Sequence, residues 1–184
     1  MRRPAAIALL LILPVALRAT VIVPIEFREL VTTSPVIVHG LVTDVRSAFV
    51  DGRRSVETFV TIEAGEYLKG NLGQHVTFKV PGGEIGRYRT VFVGAPEFRT
   101  GDEVVLFLRT PRAALPFVVG LSQGAFRVVA DRESGKRMVT TPILMGRTGV
   151  EAEPVVRGAQ TRRPLAIEAF REAVRVVLAE GAAR

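Results

Sequence analysis

Most of the chain alternates short apolar runs with breaks rich in Gly, Pro and Asp, a pattern of β-strands joined by turns. The longest such run, Val56 to Gly70 (VETFVTIEAGEYLKG), sets Val60, Ile62 and Ala64 on one side and Phe59 and Thr61 on the other. Gly65 interrupts that alternation, which predicts a bulge or bend, and Lys69–Gly70 predicts a turn. Before it, Val36 to Val45 (VIVHGLVTDV) places Val36, Val38, Gly40 and Val42 opposite Ile37, His39 and Leu41, with Gly40 as a second bend. Asp51–Gly52 between the two runs is a hairpin signal. After it, His75 to Val80 (HVTFKV) reads as a third strand with Val76, Phe78 and Val80 in register.

The remaining pattern follows the same logic. Pro81 to Arg87 (PGGEIGR) reads as a glycine-rich loop, Tyr88 to Val93 (YRTVFV) as a strand, and Gly94 to Gly101 (GAPEFRTG) as a connection. Asp102 to Arg109 (DEVVLFLR) reads as a buried strand, followed by a loop at 111–116 and short strands over Phe117–Leu121 and Ala125–Ala130. The tight turn Asp131–Gly135 leads into Lys136–Thr141 and completes a hairpin. Helical spacing appears only toward the ends. Pro24 suits a first helical position, with Phe27, Leu30 and Val31 on one face. Pro164 opens a helix to about Glu180 with a stripe of Phe170, Val174, Val177 and Leu178, closed by Gly181. Glu168, Arg171, Glu172 and Arg175 are assigned to water.

These elements predict a mainly β fold: a small OB-like β-barrel with an added β-hairpin and a C-terminal amphipathic helix. The divisions are a signal peptide at 1–19, a lead-in and short helix at 20–35, and a barrel domain with its hairpin at 36–141. An irregular linker at 142–163 and a helix at 164–181 packed on the barrel complete the chain.

Composition changes this picture mainly at the start of the chain. Arg2 and Arg3 precede the apolar run Ile7–Leu17, and Ala19 offers a small residue before Thr20, the layout of an export signal. The run is too short for a comfortable membrane span, and Pro14 interrupts it. Removing residues 1–19 leaves 22 cations against 18 acids, so the net charge falls from +7 to +4. Export to a periplasm or to the medium is the expectation, with no membrane span once the signal is gone. The chain has no cysteine, which excludes disulfides, a thiolate nucleophile, a Cys-ligated zinc and a lipid-anchored N-terminus.

Three patterns invite chemistry. Gly120–Leu121–Ser122–Gln123–Gly124 matches G-x-S-x-G, but a nucleophile elbow needs a helix after the serine and a histidine further on. Here a strand-like run follows, and both histidines, His39 and His75, precede Ser122. A β-turn is the expectation. His39 and His75, even with Glu57, Glu63 or Asp102, show none of the spacings of a metal site. The loop Pro81–Gly86 lacks both the glycine spacing and the Lys–Ser/Thr ending of a phosphate loop. No cofactor is expected. Strand aromatics (Phe59, Tyr67, Phe78, Tyr88, Phe92) beside Lys69, Lys79, Arg87 and Arg89 would suit a nucleic-acid face, but export and the modest charge argue against it.

The order Val38–His39–Gly40, Tyr67–Leu68–Lys69–Gly70, Phe98–Arg99–Thr100–Gly101–Asp102 and Val104–Leu108 resembles the OB barrel of the netrin-like and metalloproteinase-inhibitor (TIMP) type over about residues 36–109. Continued through Gly120–Val128 and the terminal helix, the pattern is similar to that of a group of exported bacterial proteins of unassigned role. The resemblance implies a fold and a binding role toward a secreted protease or another extracytoplasmic protein. It transfers no functional residue, because those inhibitors reach the protease zinc through an N-terminal cysteine and this chain has none; Thr20 would stand there instead. The expected function is a non-enzymatic binding module using loops that carry Gly82, Gly83, Glu84, Arg87, Pro96, Phe98 and Arg99. An envelope-associated accessory subunit presenting its terminal helix, and a hydrolase using Ser122, are the alternatives.

Overall fold

The computed structural model describes residues 23–52, 54–132, 134–140 and 164–182. The expected signal peptide and the expected linker lie outside these. In order the elements are α1 (Phe27–Thr33), β1 (Val36–Val50), β2 (Ser55–Lys69), β3 (His75–Pro81), β4 (Gly83–Ile85) and β5 (Tyr88–Thr90). They continue with β6 (Glu103–Arg109), β7 (Phe117–Val118), β8 (Ala125–Ala130), β9 (Arg137–Thr140), β10 (Leu165–Ala166) and α2 (Ile167–Ala182). The main sheet runs β1-β2-β3-β7-β6, and β6 pairs back onto β1, closing a five-stranded ring. The β3–β7 seam is parallel and every other join in the ring is antiparallel. This is the expected OB-like barrel. From β6 the sheet continues outward through β8, β9 and β10.

The β1–β2 ribbon is coiled by three register shifts. On β2, Gly65 is skipped between the His39–Glu66 and Gly40–Ala64 pairs, so the predicted bulge is present. Gly40 lies opposite because the strands approach closely there: a Cβ at this position would stand 2.5 Å from the Glu63 carbonyl oxygen. Asp51 and Gly52, after the last strand pair on the β1 side, both have positive φ, 51° and 64°. β1 therefore runs on past Val45 to Val50, and its last third forms an arm with the start of β2.

Alternation sorts the side chains into two cores. Val38, Val42, Val60, Ile62, Phe78 and Leu106 fill the barrel. Ile37, Val105 and Phe107 point the other way, into a second core covered by Leu30 and Val31 of α1 and by Ile167, Phe170 and Val174 of α2. Phe170 stacks against Phe27 and Phe126 at centroid distances of 5.5 and 5.1 Å. α1 is fixed at its C-terminal end by cations from the barrel. Lys69 Nζ donates to the carbonyls of Val31 and Thr32 at 2.9 and 3.0 Å, and Arg109 donates to that of Thr33 at 3.1 Å. On the same outer side, Glu103 Oε1 takes both His39 Nε2 at 2.7 Å and Arg137 Nη1 at 2.8 Å, joining β1, β6 and β9.

Several elements depart from the sequence reading. α1 begins at Phe27, not near Pro24, because the Ile25 amide donates to Gln123 Oε1 at 2.7 Å and holds the lead-in extended. The terminal helix begins at Ile167, not Pro164, since Leu165 and Ala166 pair with Val139 and Met138 of β9. It also runs one residue past Gly181, to Ala182. Arg171 does not face open water; it bridges to Glu66 of β2 at 2.8 Å. The strand expected over Phe117–Leu121 stops at Val118, and residues 121–124 form a 3-10 turn rather than a β-turn. Three of the seven residues of the expected loop Pro81–Arg87 form strand β4, paired with β5, and the strand expected over Tyr88–Val93 ends at Thr90.

Phe170→Ala should lower stability by about 3–5 kcal/mol in urea titrations, because it empties the centre of the second core; Val176→Ala, on the exposed face of the same helix, should stay within about 0.5 kcal/mol. Burial lowers the Lys69 pKa below its ordinary value of 10.5. Between that lowered value and 10.5 the unfolded chain holds a proton that the folded chain releases, so stability rises with pH in this window. Paired denaturation curves should show the wild type gaining on Lys69→Met as the pH approaches 10.5, and no relative gain would refute that coupling.

Candidate functional site

The β4–β5 hairpin is folded back onto the β1–β2 arm by a chain of hydroxyls. Thr58 Oγ1 donates to the Gly82 carbonyl at 2.8 Å and lies 3.3 Å from Ser47 Oγ, which accepts from the Glu84 amide at 3.4 Å. Thr90 Oγ1 accepts from the Val56 amide at 3.0 Å, and Tyr88 stacks edge-on against Phe49 at 5.5 Å. The paired glycines make this approach possible. Gly83 has φ 147°, and a Cβ there would stand 2.5 Å from Thr58 Oγ1 and 2.7 Å from Ser47 Oγ.

Facing the hairpin is the segment 94–99, held at both ends. Phe98 packs edge-on against Phe78 of the barrel core at 5.3 Å. Asp102 Oδ2 accepts the Arg99 amide at 2.8 Å and pairs with Arg127 Nη1 at 3.1 Å. Arg127 also donates to the Glu97 carbonyl at 2.6 Å, while the Gly94 carbonyl accepts the Ser122 amide at 2.9 Å.

Between the two walls lies an open cleft of about 310 Å³. Six of the seven residues singled out in the sequence line it: Gly82, Gly83 and Glu84 on the hairpin side, Pro96, Phe98 and Arg99 on the other. Arg87 does not. It sits on the hairpin turn with its guanidinium 5.2 Å from the Tyr88 ring centroid. The cleft also takes in Ser47 and Thr58, which the sequence left to the scaffold, together with Arg89 and Phe92, weighed there only for a nucleic-acid face, and Glu97 of the 94–99 loop. The first two were hidden because a strand hydroxyl carries no signal of what folds over it. Its floor is apolar, with Val45, Val80 and Ala95, and its rim carries two acids and two bases. Glu84, Arg89, Glu97 and Arg99 form no ion pair among the described residues, so all four charges are available to a ligand.

A second hollow of about 240 Å³ opens on the far side of Pro81 and Pro96, along the β3–β7 seam. It contains the Lys79–Glu57 ion pair at 3.3 Å. The seam is thin because β3 and β7 share a single residue pair, Lys79–Phe117.

The other patterns are placed elsewhere. Ser122 sits in the 3-10 turn before β8, and the work of that turn is structural: buried Gln123 accepts from the Ile25 amide and donates to the Val23 carbonyl at 3.1 Å. Among the described residues no group of three or more His, Cys, Asp or Glu could hold a metal ion. Nor do the aromatic and basic strand residues form one exposed face: Phe78 is fully buried, the Tyr67 hydroxyl donates to the Gly73 carbonyl, Lys69 caps α1 and Lys79 pairs with Glu57. No described helix is long and apolar enough to cross a membrane.

Replacing Thr58 by Val removes the donor to Gly82 while keeping the side-chain shape. Hydrogen exchange should become faster across Gly83–Thr90 at a global cost of about 1 kcal/mol; unchanged exchange there would show that the hydroxyl chain does not hold the hairpin. No protein-family model, curated protein or solved structure matches the chain.

Proposed function

We propose that the chain works as an exported, non-enzymatic binding module whose cleft between the β4–β5 hairpin and the 94–99 segment receives part of an extracytoplasmic protein, such as a secreted protease. One observation carries this reading: two neighbouring segments, one led by Gly82–Gly83 and one by Gly94–Pro96, face each other across a cleft with an apolar floor and four uncompensated rim charges. An apolar floor supplies area and a charged rim supplies orientation, the division of labour found in protein interfaces. The basic and acidic charges balance, so the reading favours a partner segment that is amphipathic over one that is uniformly charged. Export is supported by the N-terminal pattern of residues 1–19, and a protease partner by the resemblance of the strand order to the inhibitor type. The accessory reading, with the terminal helix as the contact surface, finds less support, because Ile167, Phe170 and Val174 are consumed by the second core.

The test is capture of extracytoplasmic proteins of the source by the exported chain, run beside a Glu84→Arg/Arg99→Glu variant. A partner retained by the wild type should bind the variant about tenfold more weakly or less. Equal retention by both, with the variant folded by circular dichroism, would overturn the cleft as the binding site.

A further inference from the structure

The six residues Tyr88–Val93 (YRTVFV) form a strand-competent run that finds a partner over only half its length. β5 pairs with β4 through Tyr88, Arg89 and Thr90, and the second edge of β5 has no strand against it among the described residues. Beyond it Val91, Phe92 and Val93 stand 70%, 51% and 65% exposed, and Tyr88 is 51% exposed. Three consecutive exposed apolar residues beside an open strand edge mark a surface built to be covered.

The backbone orientation shows what kind of cover fits. Ile85 and Tyr88 close the two-residue turn Gly86–Arg87, so alternation along the ribbon turns the N–H and C=O of Arg89 away from β4. The Thr90 carbonyl and the Phe92 amide face inward, toward Gly82, which leaves those of Val91 outward with those of Arg89. We propose that Tyr88–Phe92 pairs, antiparallel and about a two-fold axis, with the same segment of a second copy of this chain.

A two-fold axis normal to a sheet must pass through a residue position, because opposed residues point to the same face. Centring it on Thr90 sets Arg89 opposite the copy's Val91, so the outward backbone groups of both residues bond across the join. It also sets Tyr88 opposite the copy's Phe92 and Thr90 opposite Thr90, pairs that favour antiparallel association. Centring on Arg89 would oppose two guanidiniums, and centring on Val91 would lose both aromatic pairs. The segment is thus self-complementary in one register. The four apolar side chains offer about 400 Å² per chain by their exposure, roughly half of a standard interface, so the dimer is reversible. Phe92 and Arg89 also line the cleft, so pairing would set two clefts side by side, whatever each one binds.

Sedimentation of the chain recovered after export should show a concentration-dependent monomer–dimer equilibrium, with dimer affinity reduced about tenfold or more in Phe92→Asp. The register has its own readout, since the chain lacks cysteine. Chains carrying Arg89→Cys mixed with chains carrying Val91→Cys should form a mixed disulfide on mild oxidation, while neither should cross-link to itself, being one diagonal step out of reach. The cross-link decides the matter if Phe92→Asp fails to fold. A monomer at every concentration, a dimer insensitive to Phe92→Asp, or self-links in place of mixed ones would each overturn the proposal. Dilution of the unsubstituted chain until it is monomeric should leave partner capture by the single cleft intact, which separates this interface from the cleft reading without altering a residue that lines the cleft.

Discussion

The structure depends on one strand being apolar on both faces. β6 sends Val104, Leu106 and Leu108 into the barrel and Val105 and Phe107 into the core beneath the helices, so no water reaches either side of it over Val104–Leu108. Its edges are as fully used. β1 takes one, and β7 and β8 share the other, β7 at Leu108–Arg109 and β8 at Glu103–Leu106. Barrel closure and attachment of the outer sheet therefore meet in seven residues. Any polar atom introduced there would be stranded in a dry interior, which is why the run VVLFL contains none.

The second constraint is the coil of the β1–β2 ribbon. Fifteen-residue strands of this length cannot close into a narrow ring while flat. The skipped Gly65, the close approach at Gly40 and the further shift at Thr43 supply the curvature. Past that curve the ribbon continues as an arm, and the arm is what the β4–β5 hairpin folds onto. The cleft is thus a by-product of strands that are longer than the barrel needs. Its walls are set by hydroxyls, one carboxylate and the packing of Phe98 on Phe78, which leaves its rim charges free.

Much of this was legible in the residues because alternation and turn chemistry are local. The three long strands, the Gly65 bulge, the Asp51–Gly52 turn and the two-sided apolar character of β6 all follow from neighbours in sequence. Misplaced boundaries share a different cause. Pro24 and Pro164 each carry a helix-start preference worth little beside a long-range bond, to Gln123 in one case and to β9 in the other. Arg171 sits on what periodicity marks as the wet face, yet Glu66 reaches it from a strand about a hundred residues earlier. Of the candidate site residues, the glycines and prolines were visible because they break pattern, while Ser47 and Thr58 were not, because inside a strand run they look like any other position.

By itself the sequence determined the order and faces of the strands, the amphipathic helix and the positions of the loops, since each depends on φ/ψ preference and side-chain period within a few residues. Only the tertiary structure decided that Gly82–Glu84 and Pro96–Arg99 form opposite walls of one cleft and that Arg87 stands outside it. That outcome turns on ring closure between β1 and β6 and on the hairpin folding over Thr58. Both are contacts between segments far apart in the chain, whose geometry no local pattern encodes.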